Sequence, residues 1–273
     1  MTDIEYLRKA QLMITDEIVR ICDKYNINYF LDAGSMLGAV RHNGFIPWDD
    51  DMDIGMLQVD YEKFIKVAPS ELDEMYYLDN YKTNNECGLV FSKIRLKDTI
   101  YIENKANPTA NNNEVFVDIF PYYYISDNEF CRKVEGNIMA ILAQAILSKS
   151  GYKVWKGEGL FKRIKFLPCD VIGLLIPKEK LFDFVNSLYF KHKDTKRLCI
   201  NGGSAYNYWF FDKKIFNEFI NHKFENRIYK IPKAYDIFLK KAYGDYMKMP
   251  PNSERYTHQI QQLDISKYKD ILQ

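Results

Sequence analysis

The chain lacks any paired spacing of cysteine: Cys22, Cys87, Cys131, Cys169 and Cys199 are odd in number, far apart and without a C-x-x-C pair. This excludes a disulfide framework and a zinc ribbon, and reads as free thiols in a reducing compartment. An excess of one charge is missing too. A net charge of +1 offers none of the Lys and Arg surplus that meets a phosphate backbone, so nucleic acid is not an expected partner. No run approaches the roughly 18 apolar residues of a membrane helix, and the start, MTDIEYLRKAQ, has neither the basic opening nor the apolar core of a signal peptide. The expected location is the cytoplasm, with the inner face of the cytoplasmic membrane as the one variant considered below. Repeats, low-complexity tracts and flexible linkers are absent as well, so 1–273 reads as a single domain.

What is present is an ordinary globular composition, 47% hydrophobic and 27% charged over 273 residues, enough to bury a sizeable core. One stretch stands out. Between Tyr29 and Met56 an apolar run leads to Gly34-Ser35 and a short helical pattern, and then Asp49, Asp50, Asp51 and Asp53 fall within five positions. Strand residues two apart share a face, so a strand over Asp51 to Met56 would present Asp51 and Asp53 together, with Met52 and Ile54 behind them. Paired carboxylates suit Mg²⁺ or Mn²⁺, hard cations that take oxygen ligands and bring phosphates with them. The competing reading of an acidic run is a solvated turn. Against it stand the alternating apolar residues, and Gly34-Ser35 at a strand-to-helix junction whose free N–H groups suit an anion.

Periodicity places an amphipathic helix over Ile4 to Asn26, a strand over Ile27 to Ala33, a helix over Met36 to His42, and a helix from Asp60 to Val67 ended by Pro69. Strands follow at Met75 to Tyr81, Leu89 to Leu96 and Ile100 to Glu103, with a loop over Asn104 to Asn113. Val115 to Pro121 is almost wholly apolar except for Asp118. A lone carboxylate in a central strand is costly unless paired or metal-bound. Asp118 is therefore either a third ligand or the partner of Lys93 or Arg95. Those two cations share a strand face and either neutralise a diphosphate or form a wet edge.

The period turns helical over Asp127 to Lys149 and Lys178 to His192, so 127–196 reads as a mostly helical insertion. Within it Phe166 to Pro177 is apolar but interrupted by Pro and Asp. It is either a buried helix pair or a peripheral membrane contact, with Lys162, Arg163 and Lys165 meeting anionic lipid. Beyond it lie Gly202-Gly203-Ser204, the aromatics Tyr206, Tyr208, Trp209 and Phe210, a strand at Ile228 to Ile231 and a helix over Lys233 to Tyr243.

The stretch Gly34-Ser35-x-Leu37-Gly38, then Arg41-His42-x-Gly44-Phe45-Ile46-Pro47-Trp48-Asp49-Asp50-Asp51-x-Asp53, closely resembles the signature of the LicD family. Similar to that family also are the strand around Asp118 and the C-terminal order Tyr243-Gly-Asp-Tyr-Met, Pro250-Pro251, Arg255, His258. The resemblance implies an α/β (α+β) nucleotidyltransferase fold of the DNA polymerase β type, a mixed sheet flanked by helices. It implies a metal-dependent phosphotransferase that moves a phosphorylated alcohol from a CDP-linked donor to a cell-surface glycan or its lipid-linked precursor. Phosphocholine is the expected cargo, with glycerol or ribitol phosphate as alternatives. The acceptor classes are lipopolysaccharide, teichoic acid and capsule.

On that reading Asp51, Asp53 and Asp118 are catalytic and hold Mg²⁺ or Mn²⁺, and Gly34, Ser35, Arg41, Lys93 and Arg95 bind donor phosphates. Asp49, Asp50, His42, Trp48 and His258 are secondary candidates; an ion pair from Arg41 to Asp49 or Asp50 and a stapling role for Trp48 are the structural alternatives. Tyr122, Tyr123 and Tyr124 are the aromatics nearest a ligand in sequence, of interest if the cargo is a quaternary ammonium. Two other readings compete: a D-x-D glycosyltransferase using a nucleotide sugar, which would need neither Gly34-Ser35 nor Asp118, and a non-catalytic glycan- or nucleotide-binding protein, which would show no metal-dependent turnover.

Overall fold

The structure, a computed structural model, describes residues 1–103, 112–151, 160–200, 208–255 and 260–272, with 160–167 described as helix backbone only. Its centre is a ten-residue strand, β6 (Phe116–Ile125). On one side β6 pairs in parallel with β2 (Asp53–Leu57), and β2 pairs antiparallel with the two-residue β1 (Phe30–Leu31). On the other side its first half pairs antiparallel with β4 (Ser92–Leu96) and its second half with β7 (Arg197–Ile200). β3 (Tyr76–Asp79) lies outside β4, and β8 (Phe210–Asp212) outside β7, making seven strands in one mixed sheet. Two antiparallel pairs complete the strands: β5 (Ile100–Glu103) with the distant β11 (Ile260–Asp264), and the hairpin of β9 (Phe219–Phe224) with β10 (Arg227–Pro232).

Pro121 sits inside β6, where the sequence predicts the strand to end. A proline cannot donate to a ladder, but β4 pairs only as far as Ile119 and β7 begins at Tyr122. The missing N–H falls where one partner hands over to the next, so the strand runs on through it.

Helix α1 (Asp3–Tyr25) buries Leu7, Ala10, Ile14, Ile18 and Ile21, the stripe that its periodicity predicts, against the sheet. Glu5 reaches back to the Thr2 N–H at its start, and Asn26 closes it in the left-handed region at φ 49°. Helix α2 (Ala33–His42) is capped by Asp32, whose carboxylate accepts the Ala33 N–H. Gly34 and Ser35 therefore occupy its first turn, and the preceding strand is shorter than the sequence suggests.

Helix α3 (Gln58–Glu71) does not stop at Pro69 but continues two residues further. In its last turn proline costs one N–H bond, and its fixed φ is already helical. The acidic strand likewise begins at Asp53, not Asp51, and the later helix begins at Tyr235 because Pro232 still belongs to β10.

The described part of 127–196 is mostly helical: α4 (Glu129–Lys149), α5 (Leu160–Leu175) and α6 (Lys178–Tyr189). Its buried side chains, among them Met139, Ile146, Leu181, Phe182 and Val185, form a cluster with Tyr123, Ile125 and Cys199 of the sheet, separate from the main core. α7 (Tyr235–Tyr243) and α8 (Lys269–Leu272) follow. Among the described residues no helix is long and apolar enough to cross a membrane.

Side chains alternate across the sheet. Ile54, Ile119, Val117, Ile94 and Leu96 point to one face and are fully buried. The other face carries Gly55, whose hydrogen stands against the Phe30 ring; a Cβ there would lie 2.4 Å from the Phe30 Cζ. Gly55→Ala is expected to destabilise the fold by about 1 to 3 kcal/mol through this overpacking. Denaturant unfolding measures it, and an unchanged midpoint would show that the Phe30 ring moves freely.

Candidate active site

The parallel register of β2 and β6 places Asp53 directly beside Asp118. Lys93 on β4 is the next neighbour of Asp118, and Asp79 on β3 is the next neighbour of Lys93. One transverse row across four strands thus reads Asp53, Asp118, Lys93, Asp79, all on one face. The Lys93 Nζ lies 2.5 Å from Asp118 Oδ1, both side chains mostly buried, and 3.4 Å from the centroid of the Phe116 ring. Arg95 turns away from the carboxylate pair: its Nε donates to Asp79 at 2.6 Å and its Nη1 to the Glu114 carbonyl at 3.2 Å. Of the two cations that the sequence puts on this face, Lys93 is paired with Asp118, and Arg95 holds the far end of the row.

Burial pushes the Asp53 carboxyl well above the ordinary carboxylate range, and the neighbouring Asp51, Asp118, Asp32 and Asp49 add to the effect. Asp118 is also raised by burial, against the opposing pull of Lys93. Asp51, two residues ahead of the strand, contributes to both shifts and so stands close to both. Among the described residues no three acidic, histidine or cysteine side chains are drawn in closely enough to hold a metal ion. The carboxylates are neighbours, but Lys93 engages one oxygen of Asp118.

The backbone of Asp53 is fixed on every side. Its N–H donates to Ser35 Oγ at 2.9 Å, its carbonyl accepts from Asp32 N–H at 3.0 Å, and the preceding Met52 carbonyl accepts from Asp118 N–H at 3.1 Å. Ser35 thereby ties the first turn of α2 to the start of β2. A Cβ on Gly34 would lie 2.9 Å from Asp49 Oδ2, so the glycine lets this turn approach the acidic loop.

The loop itself is clamped by α1. Arg8 donates to the carbonyls of Ile46, Pro47 and Asp49 at 2.8, 3.0 and 2.7 Å, and Gln11 to the carbonyl of buried Asp50 at 2.9 Å. Arg41 donates to the Tyr246 carbonyl at 2.8 Å and to the His42 ring at 2.9 Å, which requires His42 to be neutral at Nε2. Burial and the Arg41 charge keep His42 below its ordinary pKa. Trp48 lies between the guanidinium groups of Arg41 and Arg255, at 6.0 and 4.5 Å from its ring, and so joins the acidic loop to the C-terminal segment. His258, Tyr206 and Gly202-Gly203-Ser204 lie outside the described residues.

Three residues near the carboxylates escape the sequence reading. Asp32 is fully buried; its Oδ1 accepts the Tyr122 hydroxyl at 2.7 Å, while its Oδ2 has no partner among the described residues. Burial raises it to about 6. An aspartate directly after the apolar Phe30-Leu31 was the available signal. Tyr243 on α7 has its hydroxyl in the field of Asp32, Asp53, Asp49 and Asp51, which with burial raises its pKa; the family-like order Tyr243-Gly-Asp-Tyr-Met that it opens was the available signal. Arg8 lies 41 residues from the loop that it clamps.

The three consecutive tyrosines divide between faces. Tyr122 supports Asp32, Tyr123 stacks on Tyr189 at 3.7 Å in the second cluster, and Tyr124 packs against the main core.

The chain is similar to a known protein over most of its length. Residues 26–138 match the LicD/FKTN/FKRP nucleotidyltransferase domain. That stretch of the chain is similar to a LicD-type nucleotidyltransferase domain. Over 94% of its length it is 27% identical to the lipopolysaccharide cholinephosphotransferase LicD of Haemophilus influenzae, covering 97% of that protein. It is 28% identical over 39% of its length to the mouse ribitol 5-phosphate transferase FKRP, covering 19% of that protein. An uncharacterized protein of Rickettsia prowazekii, RP689, is 32% identical over 39% of this chain and 38% of its own. The matched stretch contains every strand of the carboxylate row, β2, β3, β4 and β6, whereas Arg8 and Tyr243 lie outside it.

Asp32→Asn tests the electrostatics of the site without a substrate. With a folded pKa near 6 against an ordinary 3.8, Asp32 favours the fold fully below pH 4 and loses that contribution as pH rises through 6. The neutral, isosteric variant is expected to match the parent near pH 3.5 and to exceed it at pH 8 by up to about 3 kcal/mol. Denaturant melts in EDTA read the difference, and a gap independent of pH would contradict the assignment.

Proposed function

We propose that this chain transfers a phosphorylated alcohol from a CDP-linked donor to a hydroxyl of a cell-surface glycan or of its lipid-linked precursor. The observation that carries the reading is the in-register pair Asp53 and Asp118 on adjacent parallel strands, with Asp51 beside them and the first turn of α2 alongside. Its whole-length likeness to a cholinephosphotransferase supports phosphocholine as the cargo, and its likeness to a ribitol 5-phosphate transferase keeps polyol phosphates in view.

The donor set suits a hard divalent cation: oxygen ligands only, mutually repelling, with a further buried carboxylate oxygen of Asp32 lacking a partner. Asp51, Asp53 and Asp118 would hold Mg²⁺ or Mn²⁺, which when bound offsets charge on the donor diphosphate. Lys93 pairs with Asp118, opposing the effect of burial on its carboxyl, and is placed to meet a donor phosphate oxygen. The free N–H groups of the first turn of α2, at Gly34 and Ser35, provide a second anion contact. Asp118, once released by Lys93, accepts the proton of the attacking acceptor hydroxyl. Arg95 acts from behind the row by fixing Asp79, and Arg41 with Trp48 fixes the rim.

Asp53→Asn and Asp118→Asn are each expected to lower turnover by at least about a thousandfold, because the lost charge stabilises the transition state. Stability should be unchanged or higher for Asp53→Asn, since carboxylate repulsion is relieved, and lower for Asp118→Asn, which leaves Lys93 buried without its carboxylate. Mass spectrometry of CMP release from CDP-choline, CDP-glycerol and CDP-ribitol with matched acceptors measures this. Near-parental turnover of Asp53→Asn at saturating Mg²⁺ would overturn the proposal.

A further inference from the structure

Beside the carboxylate row, on the same face of the sheet, stand two aromatic rings that serve no core. Half-buried and buried residues alternate along the first half of β6, so Phe116, Asp118 and Phe120 share the site face while Val117 and Ile119 fill the interior. Phe120 therefore belongs to the next row along. On β4 the antiparallel partner of Asp118 is Lys93, and Phe91, two residues before Lys93, comes level with Phe120. The two rings meet with centroids 4.7 Å apart and planes at 49°. Both are half-buried, and neither joins either apolar cluster of the described residues. Phe116, on the opposite side of the carboxylate row, differs: it packs against the main core, and its ring takes the Lys93 ammonium at 3.4 Å. Phe91 and Phe120 leave an apolar surface open to whatever occupies the row beside them.

The chemistry of their own row decides what suits that surface. Across the strands it holds Gly55, Phe120 and Phe91, with the Phe30 ring standing over the glycine. None of these side chains gives or takes a hydrogen bond. A sugar ring seated there would lose water from its hydroxyls and regain no partner from the row. A quaternary ammonium would share Phe91 with the Lys93 ammonium, which already lies 5.4 Å from that ring's centroid. A flat, neutral, aromatic ring meets neither objection, since stacking asks only for a face. The spacing agrees with it. Successive rows on one face of a strand lie about 7 Å apart, so a nucleotide whose phosphates meet Lys93 and the carboxylates carries its base, one ribose away, over Phe91 and Phe120.

We propose that Phe91 and Phe120 form the platform on which the nucleobase of the donor stacks, and that they thereby select a nucleotide-linked donor over a simple phosphate ester. This platform rests on the reading of the chain as a transferase with a CDP-linked donor. It is independent of which alcohol is carried, because the base belongs to the half of the donor that all such substrates share.

Calorimetric titration of the full chain with CMP and with ribose 5-phosphate, each with Mn²⁺ present, isolates the base, since the second ligand carries a hydroxyl in its place. The parent is expected to bind CMP at least about fivefold more tightly than ribose 5-phosphate, and Phe120→Ala to lose at least about fivefold in CMP affinity while binding ribose 5-phosphate as before. Phe120→Leu, which keeps apolar bulk but not the flat face, and Phe91→Leu on the other strand should show the same selective loss; Phe120→Tyr should keep the preference. A parent that binds the two ligands equally would overturn the proposal. So would leucine variants that hold CMP as the parent does, or that lose affinity for phosphocholine instead of CMP, which would assign the rings to the alcohol. Turnover separates this outcome from the transferase reading. A parent that releases CMP from a CDP-alcohol while the leucine variants bind CMP normally strikes the platform alone, whereas base-dependent CMP binding by a parent that turns over no donor strikes the transferase reading alone.

Discussion

Two carboxylates held side by side on adjacent strands are the constraint to which the rest of this structure answers. Parallel pairing of β2 with β6 fixes Asp53 against Asp118 with no freedom to separate, and both are largely removed from water. Left alone, such a pair opposes folding through repulsion and desolvation. The structure meets this cost locally, with Lys93 on the next strand taking up Asp118 and with a raised proton affinity at Asp53. It meets the geometric demand with a dense set of backbone bonds: Ser35 and Asp32 to Asp53, Met52 to Asp118, and the Arg8 fork to the loop ahead of them. The pair is thus held in place by backbone bonds on both strands, with Lys93 neutralising it from the Asp118 side.

The same arrangement explains the placement of the flanking elements. α1 is more than a cover for the sheet, because Arg8, Gln11 and Thr15 all reach the acidic loop or its Met52 anchor. The C-terminal segment closes on the site from the other side, through the Arg41 bond to Tyr246, the Arg255 face of Trp48 and the hydroxyl of Tyr243. The helical stretch α4–α6 instead builds its own apolar cluster on Tyr123 and Ile125, beyond the end of β6 that carries Asp118. β6 thus serves two bodies at once, with its first half forming the site and its second half carrying the helices.

Much of this is legible in the sequence where the signal is local. The stripe of α1, the acidic strand and the lone charge of Asp118 are written in short-range pattern, whereas the mixed α/β fold follows from the resemblance of the stretch around Gly34 to Asp53. The chain breaks down as a guide where tertiary context decides. Pro69 and Pro121 look like terminators and are not, because one lies in a final helical turn and the other at a gap between strand partners. The split of Lys93 and Arg95 between Asp118 and Asp79 depends on a register that no single strand encodes. Asp32, Tyr243 and Arg8 join the site through contacts between distant parts of the chain, which no single stretch encodes.

If the carboxylate row is a cation site, the cation should stabilise the fold through Asp53 in particular. Thermal unfolding with and without Mn²⁺ measures this directly, since a ligand that binds only the folded state raises the melting temperature with its concentration. The expected result is a rise of several degrees for the parent and none for Asp53→Asn, with the variant melting at or above the parent when metal is absent. An equal Mn²⁺ shift in parent and variant, or no shift in the parent at millimolar metal, would contradict the central assignment.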